Sequence, residues 1–296
     1  MSRRQLTAIH WKKAKDGQMI KKYLPINRNT RADGGCIHLP VSPLCNSQYR
    51  FDKRGINKSD SRTTSLLQPV EALTLVEQAV ALFPRIKVAG IAGPGDPLAS
   101  NHALQTFAMI HERFPQLKNC LATNGLMLRE KATELVDAGV KTVFVAMHGT
   151  DIQAMAQLLN HINYGGKYMT GEMAARYLLL SQVAGIRKVI ELGVTVKVNT
   201  VLIPGFNQHQ IGEIAKLVAS LKVDSMNIVP LAPQPDDKEY RAPTGRELQA
   251  ARTVAGQYIA VVSQCKACRL AETNLVPDGM AAGDEWVSWG INSILP

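Results

Sequence analysis

The stretch Ile86-Lys-Val-Ala-Gly-Ile-Ala-Gly-Pro-Gly-Asp-Pro97 gives the clearest indication of the fold. Its first six residues are mostly apolar, which is typical of a strand buried in a parallel sheet. The Gly-Pro-Gly-Asp-Pro turn at 93–97 then ends the strand, because glycine and proline favour tight turns. A helix is predicted directly after the turn, so the stretch indicates one strand-turn-helix unit of an α/β protein.

The same alternation continues on both sides of this stretch. Further strands are predicted at 37–41, 119–123, 142–147, 195–203 and 225–229, and helices at 69–83, 99–114, 126–138, 171–192, 208–221 and 245–263. The segment between 148 and 170 is interpreted as a polar insertion that runs through Gly165-Gly166. Six strands with right-handed crossovers predict a parallel sheet covered by helices. We expect this sheet to form a partial barrel, and a doubly wound open sheet is the alternative.

Length and composition fit one main domain. The chain has 296 residues, of which 46% are hydrophobic and 20% charged, as in an ordinary globular protein. We expect a basic arm at 1–35, the barrel at 36–280 and a tail at 281–296. Because no long apolar run and no apolar signal segment occur, a cytoplasmic location without membrane contact is expected.

The net charge of +10 does not by itself indicate nucleic-acid binding. The basic residues are spread along the chain, aromatic residues make up only 5%, and no nucleic-acid-binding motif occurs. An anionic small molecule or an acidic partner protein explains the charge equally well. We therefore expect no nucleic-acid partner.

Polar residues and glycines collect near the carboxyl ends of the predicted strands, where parallel α/β sheets bind their ligands. Glycines in the 93–97 turn permit close backbone approach, and Asp96 offers an acceptor for a cationic group. Lys197 and Asn199 alternate in an apolar strand and share one face, where a satisfied core pair is the alternative to a ligand-binding role. The candidate ligand-binding residues are Gly93, Gly95, Asp96, Thr123, Asn124, Lys197, Asn199, Ile203, Asn227 and Pro230.

The five cysteines argue against a disulfide framework, because their number is odd and no export signal is indicated. Cys265 and Cys268 have the spacing of half a zinc or iron–sulfur site. Cys120 lies within a strand and is expected to be a small buried apolar residue. His38 on the first strand is either a hydrogen-bonded core histidine or a metal ligand. Cys45 follows in the loop that leads to Asp52.

Five blocks, taken in their order and spacing, resemble the radical S-adenosylmethionine domain of the NifB family, which assembles the iron–sulfur precursor of the nitrogenase cofactor. These blocks are Gly90–Ala99, Leu121–Leu126, Val196–Gly205, Asn227–Leu231 and Cys265–Arg269. The resemblance implies a partial (βα)6 barrel that binds S-adenosylmethionine. The 93–97 turn would hold the methionine moiety, and residues of the fifth and sixth strands would border the ribose and adenine.

The resemblance also implies iron–sulfur clusters and partners. Cys265 and Cys268 would help to bind a second cluster, and an iron–sulfur cluster donor or other nitrogenase assembly proteins would be partners. The radical cluster of such proteins is a 4Fe–4S cluster held by a Cys-x3-Cys-x2-Cys loop, whose three thiolates leave one iron for S-adenosylmethionine. The matching positions here are Cys45, Tyr49 and Asp52, and the last two carry hard oxygen ligands.

Three functions are therefore considered. The first is a NifB-like radical enzyme that inserts carbide into the cofactor precursor, with the cluster ligands completed by other groups. Cys36 is a poor substitute for them because, at about 3.3 Å per residue, it lies too far along the strand from Cys45. The second is a non-catalytic NifB-like scaffold or carrier. The third is an unrelated barrel enzyme that uses Lys197 or Asp96 in acid/base chemistry.

Overall fold

The computed structural model describes residues 35–52, 66–82, 84, 86–233 and 238–262. Within these residues, six parallel strands form a curled sheet that closes about half of a barrel, which confirms the expected partial barrel. The strands follow the order β1-β3-β4-β5-β8-β9 across the sheet. Their bounds are β1 (Gly35–His38), β3 (Ile86–Ile91), β4 (Lys118–Thr123), β5 (Val140–Ala146), β8 (Thr195–Leu202) and β9 (Ser225–Pro230).

The helices, apart from the short helix Ile152–Leu158, pack on the outer face of this sheet. They are α1 (Pro69–Leu82), α2 (His102–Arg113), α3 (Ala132–Asp137), α4 (Ile152–Leu158), α5 (Gly171–Glu191), α6 (Ile211–Ser220) and α7 (Gly245–Gly256). Every second strand residue points towards them, and Ile91, Leu121, Val143 and Val198 are completely buried in the main hydrophobic core. None of the described helices is long and apolar enough to cross a membrane.

The opposite face of the sheet lines the inside of the half-barrel. Near the amino ends of the strands, Cys36, Val88, Cys120 and Phe144 form a small buried cluster. This placement confirms that Cys120 is a small buried apolar residue. Towards the carboxyl ends the inner face becomes polar, since Asn199 of β8 pairs in register with Asn227 of β9.

A second, antiparallel sheet lies beside the first. It contains β2 (Ser47–Tyr49), β6 (Leu159–Tyr164) and β7 (Lys167–Met169), in the order β2-β6-β7. The interpretation of 148–170 as a polar insertion missed α4, β6 and β7, and no strand was expected at β2. The β6–β7 turn consists of Gly165 and Gly166, with φ of +58° and +75°, which is the backbone of a tight hairpin.

Three elements differ most from their expected bounds. β1 ends at His38 rather than at residue 41, because Pro40 has no N–H to continue the ladder. α3 covers only Ala132–Asp137 of the expected 126–138. α7 ends at Gly256 rather than at residue 263, and Val261 instead forms a bridge with Met226 beside β9. The basic arm up to residue 34, Cys265, Cys268 and the tail lie outside the described residues.

Candidate ligand site at the carboxyl ends of the strands

The Gly-Pro-Gly-Asp-Pro turn packs against the segment that leads to Cys45. The Gly95 N–H donates to the Ser42 carbonyl at 2.7 Å, and the Ser42 N–H donates to the Gly93 carbonyl at 3.3 Å. A Cβ on Gly95 would overlap the backbone carbonyl of Leu44, so only glycine fits. This packing explains Gly95 without a ligand, and contact of Gly93 or Gly95 with a ligand stays a prediction.

Asp96 is 5% exposed and is surrounded by hydrogen-bond donors. Its carboxylate accepts from the Leu98 N–H at 2.9 Å, from the Asn124 N–H at 2.6 Å and from the Thr123 hydroxyl at 2.8 Å. Burial raises the pKa of Asp96, and these hydrogen bonds oppose the rise. Asp96 therefore joins the ends of β3 and β4, and its expected contact with a cationic group stays a prediction.

Asn124 connects the end of β4 to the loop of Cys45. Its Nδ2 donates to Asn46 Oδ1 at 2.7 Å and to Ser47 Oγ at 2.8 Å, and its Oδ1 accepts from the Leu126 N–H at 2.8 Å. Its main-chain carbonyl accepts from Gln182 Nε2 at 2.7 Å. The sequence placed Asn124 at the site, but Gln182 was missed because one glutamine in a helix gives no signal of its partners.

The Cys45 thiol is held within its own loop. Its Sγ donates to the Ser47 carbonyl at 3.0 Å. Burial is the largest cause that raises the pKa of Cys45, and the nearby Asp96 and Asp52 carboxylates raise it further. The hydrogen bond to Ser47 opposes this rise, and a metal ion bound at Cys45 would displace the thiol proton.

Tyr49 belongs to a cluster of aromatic rings beside this loop. It is 7% exposed, and its ring centroid lies 4.8 Å from that of His148 and 5.1 Å from that of Phe51. Phe51 also contacts Tyr240 at 6.4 Å. The Tyr49 hydroxyl has no hydrogen-bond partner in the described part of the chain, and burial raises its pKa. Tyr49 thus acts as a packed apolar side chain with a buried hydroxyl.

Replacing Tyr49 by phenylalanine should stabilise the protein. The substitution keeps the packed ring and removes a hydroxyl that is buried without a partner, and such a group destabilises a fold by about 1–3 kcal/mol. We expect the free energy of unfolding in urea to rise by about 1 kcal/mol. A fall of similar size would mean that the hydroxyl makes a hydrogen bond with a residue outside the described ranges.

His148 follows β5 and is kept neutral by burial. It is 5% exposed, and its Nδ1 accepts from the Val201 N–H at 3.2 Å. Its carbonyl accepts from Asn207 Nδ2 at 2.8 Å. Burial lowers the pKa of His148 to about 4, although the nearby Asp52 carboxylate opposes this shift. The sequence places His148 at the carboxyl end of a strand but assigns it no role, because a histidine after a strand does not reveal its neighbours.

The low pKa of His148 predicts a loss of stability in mild acid. Between its ordinary value of 6.5 and about 4, the unfolded chain binds a proton that the folded chain excludes, so stability falls as the pH falls through this range. We expect wild type to lose about 2–3 kcal/mol more than His148→Leu between pH 7 and pH 4. Urea unfolding curves of both proteins over this range measure it. Parallel pH dependence in the two proteins would contradict the assignment.

Asn199 and Asn227 each have a side-chain carbonyl oxygen inside the half-barrel that accepts no hydrogen bond from the described residues. They lie side by side on β8 and β9, on the face opposite the helix-facing Val198 and Ile228. Both Oδ1 atoms are buried and have no hydrogen-bond partner among the described residues. Buried carbonyl oxygens are normally hydrogen-bonded, so this pair fits a ligand that brings hydrogen-bond donors.

Three further candidates are less central. Lys197 lies two residues before Asn199, and its ammonium is 3.6 Å from an oxygen of Asp224, near the amino end of β9. Ile203 is fully buried, and its N–H donates to Asn207 Oδ1 at 2.8 Å. Pro230 ends β9 and is buried. Binding of a ligand by these three residues stays a prediction.

His38 ends β1 and pairs in register with Gly90. In the part of the chain that the structure describes, no group of three or more histidine, cysteine or acidic residues is arranged to hold a metal ion. His38 and Cys45 therefore do not join a larger metal-binding group there. Metal binding by His38, Cys45, Cys265 or Cys268 stays a prediction.

Comparison with known proteins finds similarity along most of the chain. The family model of the radical SAM superfamily matches residues 53–218. The FeMo cofactor biosynthesis protein NifB of Methanocaldococcus infernus is 32% identical over 272 residues, which cover 90% of this chain and 90% of that protein. NifB of Methanocaldococcus jannaschii is 33% identical with the same coverage. NifB of Klebsiella pneumoniae is 34% identical over 79% of this chain and 52% of its own length.

Solved structures share the fold at lower identity. A radical SAM methyltransferase from Sphaerobacter thermophilus matches with a TM-score of 0.57 and 18% identity, covering 77% of this chain and 65% of that one. Methylornithine synthase matches with a TM-score of 0.54 and 14% identity, covering 99% of this chain and 87% of that one. These similarities support the partial barrel alone.

Proposed function

Since the chain belongs to the NifB family of radical SAM proteins, we propose that it acts in nitrogenase cofactor assembly as a non-catalytic scaffold or carrier. In this proposal it binds S-adenosylmethionine but is impaired in binding the radical cluster. One observation carries the proposal: the second of the three ligand positions of the cluster loop holds the packed, buried ring of Tyr49.

The donors of this loop do not fit a 4Fe–4S cluster that needs three thiolates. Of the three matching positions only Cys45 carries a thiol, and it is hydrogen-bonded to Ser47. Tyr49 offers a phenol oxygen, a hard ligand, and its ring is packed against those of His148 and Phe51. Asp52 offers a carboxylate, which is a hard ligand and a weak substitute for a thiolate.

The inner face of the half-barrel fits S-adenosylmethionine better. The two unpartnered carbonyl oxygens of Asn199 and Asn227 are adjacent acceptors for the hydroxyl groups of a ribose. The 93–97 turn lies at the carboxyl end of β3, where the methionine moiety is expected. S-adenosylmethionine would supply an adenosyl group and a sulfonium cation here. The polypeptide would bind and orient it.

A radical enzyme is the second candidate, and the similarity to NifB over 90% of the chain favours it. It requires further ligands, for which Cys265 and Cys268 are available in the sequence. Under either function, the expected partners are an iron–sulfur cluster donor or nitrogenase assembly proteins, and the expected location is the cytoplasm.

Calorimetry with the iron-free full chain tests the binding part of the proposal. We expect S-adenosylmethionine to bind without added iron, and Asn199→Ala or Asn227→Ala to weaken binding about tenfold, as for one lost hydrogen bond to a ligand. Asn160→Ala is the matched control, because this exposed asparagine lies on the second sheet, where its Nδ2 donates to Gln48 Oε1 at 3.3 Å. Absence of binding by wild type, or equal binding by all four proteins, would contradict this site.

A further inference from the structure

Two buried amides connect helix α5 to the loop of Cys45. Gln182 of α5 donates from Nε2 to the carbonyls of Ala146, at 2.9 Å, and Asn124, at 2.7 Å. Asn124 in turn donates from Nδ2 to Asn46 and Ser47, which follow Cys45 directly. Gln182 is 2% exposed and Asn124 is 8% exposed, so water does not compete for these bonds.

The loop of Cys45 has other supports besides these bonds. The 93–97 turn bonds Ser42, and the Asn46 carbonyl accepts from the Asn163 N–H at 2.8 Å. β2 has only three residues and lies at the edge of its sheet, where it pairs with β6 alone. An edge strand of this length is a weak element by itself. Asn124 adds a side-chain bond at Ser47, which also pairs in register with Ile162 and offers its carbonyl to the Cys45 thiol.

The position of Gln182 is itself fixed by close packing. Gly125, with φ of +84°, lies directly under it, and a Cβ there would be 2.9 Å from Gln182 Cγ and 3.0 Å from Val145 Cγ1. Helix α5 therefore approaches the end of β4 as closely as the backbone permits. The side-chain amide of Gln182 bridges the carboxyl ends of β4 and β5. Because its Nε2 bonds both carbonyls, Nε2 reaches the Asn124 carbonyl in one orientation.

We infer that Asn124 and Gln182 are positioning residues that hold the partly buried Cys45 thiol in its place at the carboxyl ends of the strands. Asn124 acts directly on the two residues after Cys45, and Gln182 acts through Asn124. This role goes beyond the proposed function and holds whether or not the protein binds S-adenosylmethionine. The Thr123-Asn124-Gly125 turn then has a structural role, which is to hold the loop of Cys45, and this role does not require contact with a ligand.

The test is the alkylation rate of each cysteine by iodoacetamide in the native full chain, read by mass spectrometry. We expect Asn124→Ala and Gln182→Leu to raise the rate at Cys45 about tenfold or more. Cys36 and Cys120, which are 8% and 5% exposed, serve as internal references and should keep their rates. Asn119→Ala, on the strand that leads to Asn124, is the matched control, because its buried Nδ2 also donates two hydrogen bonds, to the carbonyls of Phe107 and Ala138.

Each outcome decides the inference. A selective rise at Cys45 in both variants, absent in Asn119→Ala, supports it. An unchanged rate at Cys45, or an equal rise at Cys36, Cys45 and Cys120, overturns it, because the two amides would then only stabilise the fold. If either variant fails to fold, Ser47→Ala replaces it, since this change removes one acceptor of Asn124 and keeps the second at Asn46. For Ser47→Ala we expect a rise of about threefold at Cys45.

Discussion

If the radical cluster is lost as proposed, replacing Tyr49 and Asp52 together by cysteine is expected to create a 4Fe–4S site. With Cys45, the double variant has the three thiolates of the family's cluster loop, and thiolates are the ligands that such clusters require. After anaerobic reconstitution, we expect the variant to hold about four more iron atoms per chain than wild type. Iron analysis and the EPR spectrum of the reduced protein measure this change.

The matched control places Cys45→Ser in the double variant and should remove the added iron. Loss of the Tyr49 ring also leaves a cavity, which we expect to reduce stability by about 3–5 kcal/mol, so Tyr49→Ala with Asp52→Ala is the reference for folding. A folded double variant that gains no iron over wild type would contradict the proposal that the residues at positions 49 and 52 impair cluster binding.

Replacing Asp96 by alanine should give the largest loss of stability among single polar substitutions at the site. The change leaves the Leu98 N–H, the Asn124 N–H and the Thr123 hydroxyl buried without their acceptor. Each such group destabilises a fold by about 1–3 kcal/mol, so we expect a total loss of about 3–5 kcal/mol. Asp96→Asn should lose less, because its carbonyl oxygen still accepts.

Urea unfolding of the two variants measures this effect, with Asp151→Ala as the control. Asp151 caps helix α4 by accepting from the Ala154 N–H at 2.8 Å, and loss of such an exposed cap costs about 1 kcal/mol. If Asp96→Ala lowers the free energy of unfolding no more than Asp151→Ala does, the Asp96 carboxylate does not hold the ends of β3 and β4 together.

The parallel sheet could be predicted from the sequence because its signals are local and repeated. Apolar strands such as Ile86–Ile91 are followed by turn residues, and helix α7 begins at the predicted Gly245, where Thr244 and Glu247 form a capping box. Because Asp96, Thr123 and Asn124 follow or end neighbouring parallel strands, the sequence predicted that they lie at one edge of the sheet, and they contact one another there. Their hydrogen bonds to one another follow from that shared edge.

The rest of the site could not be predicted because its contacts join distant segments. Tyr49 lies against His148, 99 residues later by the chain numbering, and no local pattern gives that pairing. The hairpin of β6 and β7 had one usable signal, the Gly165-Gly166 pair between short strands. The orientation of Gln182 depends on the packing of α5 over Gly125, which only a three-dimensional structure reveals.

The most direct test of the central claim is the reductive cleavage of S-adenosylmethionine by the reconstituted full-length wild type. The protein is incubated anaerobically with dithionite and S-adenosylmethionine, and 5′-deoxyadenosine is quantified by chromatography. With only Cys45 as a thiol at the three ligand positions, we expect no 5′-deoxyadenosine above the protein-free control. Accumulation of 5′-deoxyadenosine, together with an EPR signal that S-adenosylmethionine shifts, would contradict the proposed loss of the radical cluster.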